Sequence, residues 1–358
     1  MRNRFAKGMV IYAVIFLAIA VAGLAVFWNF IDAYEQSRPM NAVKEYVASL
    51  TADDFCEGSQ ELLNQLDSNI QSREEACDVI RAAVTEPLSY AKKTGESTED
   101  RQVYVVRSGK QVIGQFVISA GQEDKFGFRN WSVSDSSFDF SYLMGEDVSV
   151  TVPKEYVVKC NGAVLDEQYI SATGIKYSLL KEFYDDYDLP ELVTYTVGGN
   201  VLGSAKMETL DASGNAVSLA DGLDVNTLLA SCDEEMADRI HTFTNDFLYA
   251  YVAFTSSSTG SVSYNYVQVI KYLVPNGELA KRLYTAIDGL QYAQSWGDAI
   301  KEITINRMVD LGENRYLCDV TYMVDNYSKS GLTTTENNLK LFIVDGDYGL
   351  RIEAMTRY

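Results

Sequence analysis

The sequence predicts an α+β chain: an N-terminal transmembrane helix, then two units that each run from helices into a curved antiparallel sheet, flanking a small β-rich domain. Three observations predict it. An uncharged apolar run fills residues 8–31, helical spacing twice gives way to alternating β-branched and aromatic residues, and short strand-and-turn segments fill the stretch between. The boundaries that follow are 1–7 for a cytoplasmic tail, 8–31 for the anchor, 32–145 and 232–358 for the two helix-then-sheet domains, and 146–231 for the middle domain.

The apolar run is about 36 Å long as a helix, enough for a hydrocarbon core of about 30 Å. A cleaved signal peptide has a shorter apolar region that ends at a small-x-small site. Here Ala20-Val21-Ala22 offers such a site, but Leu24, Ala25, Val26, Phe27 and Trp28 continue the run beyond it, so the reading is an uncleaved anchor. Arg2, Arg4 and Lys7 precede the span while Asp32 and Glu35 follow it. Positive residues stay inside, so the amino terminus is expected in the cytoplasm and the bulk of the chain outside.

After the anchor, Val43, Val47 and Leu50 and then Leu62, Leu63 and Leu66 keep helical spacing, with an interruption near Gly58. A further helix is expected in "REEACDVIRAAVTEPLSYAKK", with Ser72 as its N-cap and Glu75 completing a capping box. Strands follow in "RQVYVVRSGKQVIGQFVISAG", with a turn at Ser108-Gly109, and in "KFGFRNWSVSDSSFDF". In the middle segment Val148, Val150 and Val152 alternate, Asn161-Gly162 marks a turn, and "PELVTYTVGG" and "SAKMETLDASGNAVSL" read as further strands.

The third segment repeats the order of the first. In "EEMADRIHTFTNDFLYAYVAF" Met236, Ile240, Phe243, Phe247 and Phe254 fall on one helical face. Shorter helical pieces follow around 264–273 and 277–290. In "RYLCDVTYMV" Tyr316, Cys318, Val320, Tyr322 and Val324 take one face of a strand and Asp319 and Thr321 the other, and Asp345-Gly346 is expected to turn a final hairpin.

A formal charge of −20, with +3 in the tail, leaves −23 on the remainder. Such a surface repels phosphate backbones, which argues against nucleic-acid binding and is simplest as the exterior of a soluble ectodomain. Cys56, Cys77, Cys160, Cys232 and Cys318 contain no Cys-x-x-Cys pair. Outside the cytoplasm Cys56 could join Cys77 and Cys160 join Cys232, with one thiol left over, and buried free thiols are the alternative.

The long helix at 234–254 and the strands at 300–355, with a second copy at 41–140, resemble the NTF2-like cone fold in their pattern of elements. With one anchor and a small β module whose opening "VTVPKEYVVKCNGAVL" matches in kind, the layout resembles the TcaA-type envelope proteins of Gram-positive bacteria. The zinc-ribbon cysteines of that family have no counterpart in the seven residues before the span, so no zinc-dependent role carries over.

Chemistry is sparsely marked. His241 is the sole histidine, which excludes paired-histidine and HExxH sites. It shares a helical face with Asp238 and Asn245, and the two readings are a general-base pair in a cone pocket or a polar-face histidine held by Asp238. Tyr251, Tyr316 and Tyr322, with Phe243 and Phe247, either line such a pocket or pack the core. Asp185, Asp186, Asp188 and Glu191 lack the glycine and terminal glutamate of an EF-hand loop and read as solvated surface rather than a calcium site. Asn130 and Asn326 stand in glycosylation triplets that matter only in a glycosylating secretory pathway. No nucleophile elbow, phosphate loop or dinucleotide fingerprint occurs, and no cofactor or metal is expected.

The expectation is a non-enzymatic membrane-anchored binding or scaffolding protein of the envelope, its partner a wall polymer or an envelope protein. An enzyme using His241 and Asp238, or a structural subunit of an envelope complex, are the alternatives.

Overall fold

The computed structural model describes residues 2–123, 127–219, 222–256, 261–290, 298–328 and 331–358. It divides into two compact units, the first comprising Met1–Ser149, Val158–Tyr169 and Thr196–Glu208, the second Val150–Val157, Ile170–Tyr195 and Thr209–Tyr358. Both mix helices with antiparallel sheet.

Helix α1 (Arg2–Gln36) has apolar side chains exposed along its length. The stretch Lys7–Gln36 is long and apolar enough to cross a membrane, a test that a signal sequence near the N-terminus also passes, and none of its most apolar stretch is buried in the protein. An amphipathic core helix would hide one face, and α1 hides none.

Four helices complete the helical layer of the first unit: α2 (Pro39–Ser49), α3 (Ala52–Glu57), α4 (Gln60–Leu63) and α5 (Arg73–Ala83). Pro39 opens α2 where its missing N–H costs nothing. The capping box at α5 forms as expected: Ser72 Oγ accepts from the Glu75 amide, and the Glu75 carboxylate accepts from the Ser72 amide at 2.8 Å. Helix α5 ends sooner than its spacing suggests. Pro87 disfavours helix for its predecessor, and "LSYAK" becomes strand β1 (Leu88–Lys92) instead of a last helical turn.

Strands β2 (Arg101–Ser108), β3 (Gln111–Glu123) and β4 (Arg129–Phe138) complete a sheet in the order β1-β2-β3-β4. The β2–β3 turn lies one residue later than Ser108-Gly109: Ser108 pairs with Gln111, and Gly109-Lys110 make the turn, with Gly109 in the left-handed region at φ 56°. Lys125 and Phe126, which open one expected strand, lie outside the described residues. The inner face of the sheet sends Tyr104, Val106, Phe116 and Ile118 against Val43, Phe55 and Ile80 of the helices, and the Tyr104 and Phe116 rings stack at 5.5 Å. Cys56 of α3 and Cys77 of α5 form a disulfide within this core. Cys160 and Cys232 are unpaired, as is Cys318, so the second bridge considered above is corrected.

Next come β5 (Val148–Pro153), β6 (Val157–Cys160), β7 (Ala163–Val164), β8 (Ile170–Lys176), β9 (Glu191–Val197), β10 (Met207–Leu210) and β11 (Ala216–Val217). Asn161 and Gly162 turn between β6 and β7 with φ 50° and 86°, the two positive angles that favour Asn-Gly in a tight hairpin. Strands β5, β9 and β8 form a three-stranded sheet in that order.

In the second unit α6 (Glu234–Ser256), α7 (Val262–Val269) and α8 (Glu278–Leu290) precede a four-stranded meander of β12 (Asp298–Gly312), β13 (Arg315–Ser328), β14 (Gly331–Gly346) and β15 (Gly349–Arg357). Ile240, Phe247 and Phe254 of α6 are fully buried, with Met236 and Phe243 at the margin of the same core. All five alternating residues from Tyr316 to Val324 on β13 face that core.

The opposite face of β13 is not a solvent face. Leu317 and Phe342 are buried beneath Tyr177, Leu180, Phe183 and Leu192, and Asp319 is only 8% exposed. The segment around residues 177–192 therefore gives this sheet a second core layer, which clean alternation alone would not reveal. The β14–β15 turn also lies later than Asp345-Gly346: Gly346 pairs with Gly349, and Asp347-Tyr348 make the turn. Glu313 and Asn314, both with positive φ, turn β12 into β13.

Candidate functional site

The residues singled out in sequence do not converge on one site. His241 and Asp238 are exposed on α6, and the partner of the imidazole is Asn245, whose Nδ2 donates to His241 Nδ1 at 3.2 Å. Among the described residues the Asp238 carboxylate makes no hydrogen bond or ion pair, so the histidine is held by the residue one turn ahead and not by Asp238.

Tyr316 and Tyr322 are buried on β13, and Tyr251 packs against the same core from α6, its ring stacked on Phe247 at 5.5 Å. Burial raises the phenol pKa of all three, that of Tyr322 to about 12. They are neutral packing groups at physiological pH. The acidic cluster is dispersed too: Asp185 lies 3.8 Å from the Lys176 ammonium, and Asp188 offers its backbone carbonyl to Arg315 at 2.9 Å. Among the described residues no three His, Cys, Asp or Glu side chains gather as metal ligands would.

An open cleft of about 420 Å³ lies instead at the corner between α7 and α8. Its construction begins with "LVPNGE". The Gly277 amide closes a turn onto Val274 O at 3.0 Å, with Asn276 in the left-handed region that asparagine tolerates. Val274 N in turn donates to Ile352 O on β15, which pins the turn to the sheet. Midway along α8, Tyr284 faces Tyr266 of α7, ring centroids 5.7 Å apart and edge-on. Tyr266 Oη donates to Ala280 O at 3.2 Å, and burial raises its pKa, with Tyr284 adding to the shift.

The cleft thus presents two phenol rings over an apolar floor of Ile270, Val274, Pro275 and Ala280, with the Lys281 ammonium at the rim held by Glu278 at 2.6 Å. Tyr284 is 64% exposed and so available to a ligand. Among the described residues no carboxylate, thiol or imidazole lines it, so its chemistry is recognition by stacking and hydrogen bonding, with the Lys281 charge already matched by Glu278. The sequence signal for it is two tyrosines on successive short helices joined by a Pro-Asn-Gly turn, a pairing that helical spacing within either helix does not reveal.

In the first unit a broader groove of about 790 Å³ lies over the outer face of the β1-β2-β3-β4 sheet. Lys92, Lys93 and Arg107 line it against one carboxylate, Asp139, a local positive balance within an acidic chain. Lys93 is partly engaged, donating to Gln115 at 3.2 Å and pairing with Glu96 at 2.9 Å.

No family model matches the chain, and no curated protein does. Among solved structures it is similar to the intermembrane space region of the chloroplast protein ARC6 (TM-score 0.27, 10% identity, 35% of this chain and 96% of that one). It is similar also to an IcmL-like type IV secretion system protein from Legionella pneumophila (TM-score 0.27, 11% identity, 36% and 94%). A third is an NTF2-like protein involved in plasmid conjugation (TM-score 0.25, 9% identity, 84% and 88%). At these TM-scores the overlaps establish neither fold nor function for this chain.

Proposed function

We propose that the chain is a single-span membrane protein whose α+β units, outside the membrane, act as a non-catalytic binding or scaffolding module of a bacterial cell envelope. The observation that carries the reading is α1: a helix long and apolar enough to cross a membrane, with no buried face, joined to folded units rich in exposed tyrosine. The charge order around it supports a cytoplasmic amino terminus, and the arrangement is read as two NTF2-like units around a β-rich middle, after the manner of TcaA-type proteins. The α7–α8 cleft supports recognition over catalysis, since aromatic faces suit sugars and peptide segments and its lining contains no proton-transfer pair.

The test is co-sedimentation of the full chain in nanodiscs with isolated cell-wall sacculi at low and high salt, beside a Tyr284→Ala variant. Binding that survives high salt and weakens at least fivefold in the variant supports wall recognition through the cleft. Absence of binding directs the search to a protein partner by in-cell crosslinking.

A further inference from the structure

Gly127 and Phe128, which lead into β4, lie beside the C-terminal end of α1. Phe128, just before β4, packs against Phe30 with ring centroids 5.1 Å apart and against Tyr34 at 5.6 Å. Gly127, with φ 83°, supplies the left-handed backbone that brings this ring around.

The depth of that contact follows from the helix. At about 1.5 Å per residue, a hydrocarbon core of about 30 Å entered at Gly8 is left near Trp28. Phe30 then stands about 3 Å and Tyr34 about 9 Å beyond the core, and the headgroup layer of one leaflet is about 5–7 Å thick. A ring packed against both is held in that layer. Trp28, 75% exposed, lies at the inner edge of that layer, where amphipathic rings are favoured.

We propose that Phe128 is a second lipid contact, seated among the headgroups of the leaflet by which α1 leaves the bilayer and holding the first unit against the membrane. The proposal rests on α1 spanning. Its chemistry is aromatic and not ionic: the neighbouring Arg129 is already committed to Asp100 and to Glu123, the latter at 3.4 Å, so no free guanidinium at this position captures an anionic headgroup. Contact is therefore expected with zwitterionic and anionic glycerophospholipids alike.

The experiment places p-benzoylphenylalanine, one position at a time, at Phe128, Phe30 and Val112 of the full chain, in vesicles of tagged phosphatidylcholine with or without phosphatidylglycerol. Val112 is 41% exposed at the far end of β3 and serves as the comparison surface. Lipid adducts at positions 30 and 128, at least fivefold above position 112 and within twofold between the two lipid mixtures, are expected. Adducts at position 30 without adducts at 128 overturn the proposal and leave the spanning helix intact. Adducts at 128 no stronger than at 112, or formed only with phosphatidylglycerol, overturn it as well. Absence of adducts at position 30 removes the spanning reading and the proposal together.

Discussion

Single side chains decide more of this protein than its composition suggests. Lys340 is 6% exposed, donates to Glu182 at 2.8 Å and lies 4.9 Å over the Tyr358 ring. Burial opposes the Glu182 charge, but the hydrogen bond from Lys340 prevails and its pKa is lowered. Because the Glu182 side chain is 36% exposed, solvent screens much of the attraction. Glu182→Gln is expected to cost about 1–2 kcal/mol by leaving a buried ammonium poorly matched, and Lys340→Met on that background to recover part of it, both measured by denaturant unfolding. The thiols offer an independent check. Cys160 and Cys318 are fully buried, and burial pushes the Cys318 pKa up to about 12. Native protein treated with maleimide should therefore leave both unmodified, with Cys232 labelled slowly and all three reacting in denaturant. Ser72→Ala removes the cap oxygen of α5 and is expected to lower stability by about 1 kcal/mol.

At the scale of elements the disulfide ties α3 to α5 across 21 residues of sequence, which in the chain-entropy picture contributes about 3 kcal/mol. Cys56→Ala with Cys77→Ala should raise hydrogen exchange in the helices of the first unit while leaving that of β13 and β14 unchanged; equal loosening of both units would refute a local role for the bridge. Elements whose signal is local were legible in sequence. The face of α6, the alternation of β13, the Asn161-Gly162 turn and the Ser72 capping box each follow from residues within a few positions of one another. What was missed depends on distant partners. The burial of Leu317 needs the 177–192 segment, Asp319 is held by the distant Tyr358 hydroxyl at 2.7 Å, the loss of the last α5 turn reflects β1 pairing with β2, and the α7–α8 cleft is built where Val274 is tied to Ile352. His241 illustrates the same limit, since helical spacing brought Asp238 and Asn245 within equal reach and side-chain geometry chose Asn245.

For the whole molecule the governing quantity is the −20 charge, because carboxylates both repel one another and hold local structure. Backbone and side-chain hydrogen bonds from Thr51, Ser72 and Asn215 lower the pKa of Asp54, Glu75 and Asp211, and those from Ser141 lower that of Asp139. A carboxylate whose folded pKa lies below its unfolded one contributes stability that is complete above the unfolded value and is lost as pH falls through the folded one. The ordinary values are about 3.9 for Asp and 4.3 for Glu, so stability should be level from neutrality down to about pH 5 and decline below it. Repulsion among the other carboxylates works in the opposite sense, since protonating them relieves the self-repulsion of the compact state. The two effects separate by salt: screening weakens the general repulsion, while hydrogen bonds at the helix caps and turns persist. Melting temperature measured against pH at low and high ionic strength is therefore expected to show a neutral-pH gain on adding salt and an acid decline that salt does not abolish. A decline that vanishes in salt would assign acid sensitivity to the general field and not to these capped and turn-bound carboxylates.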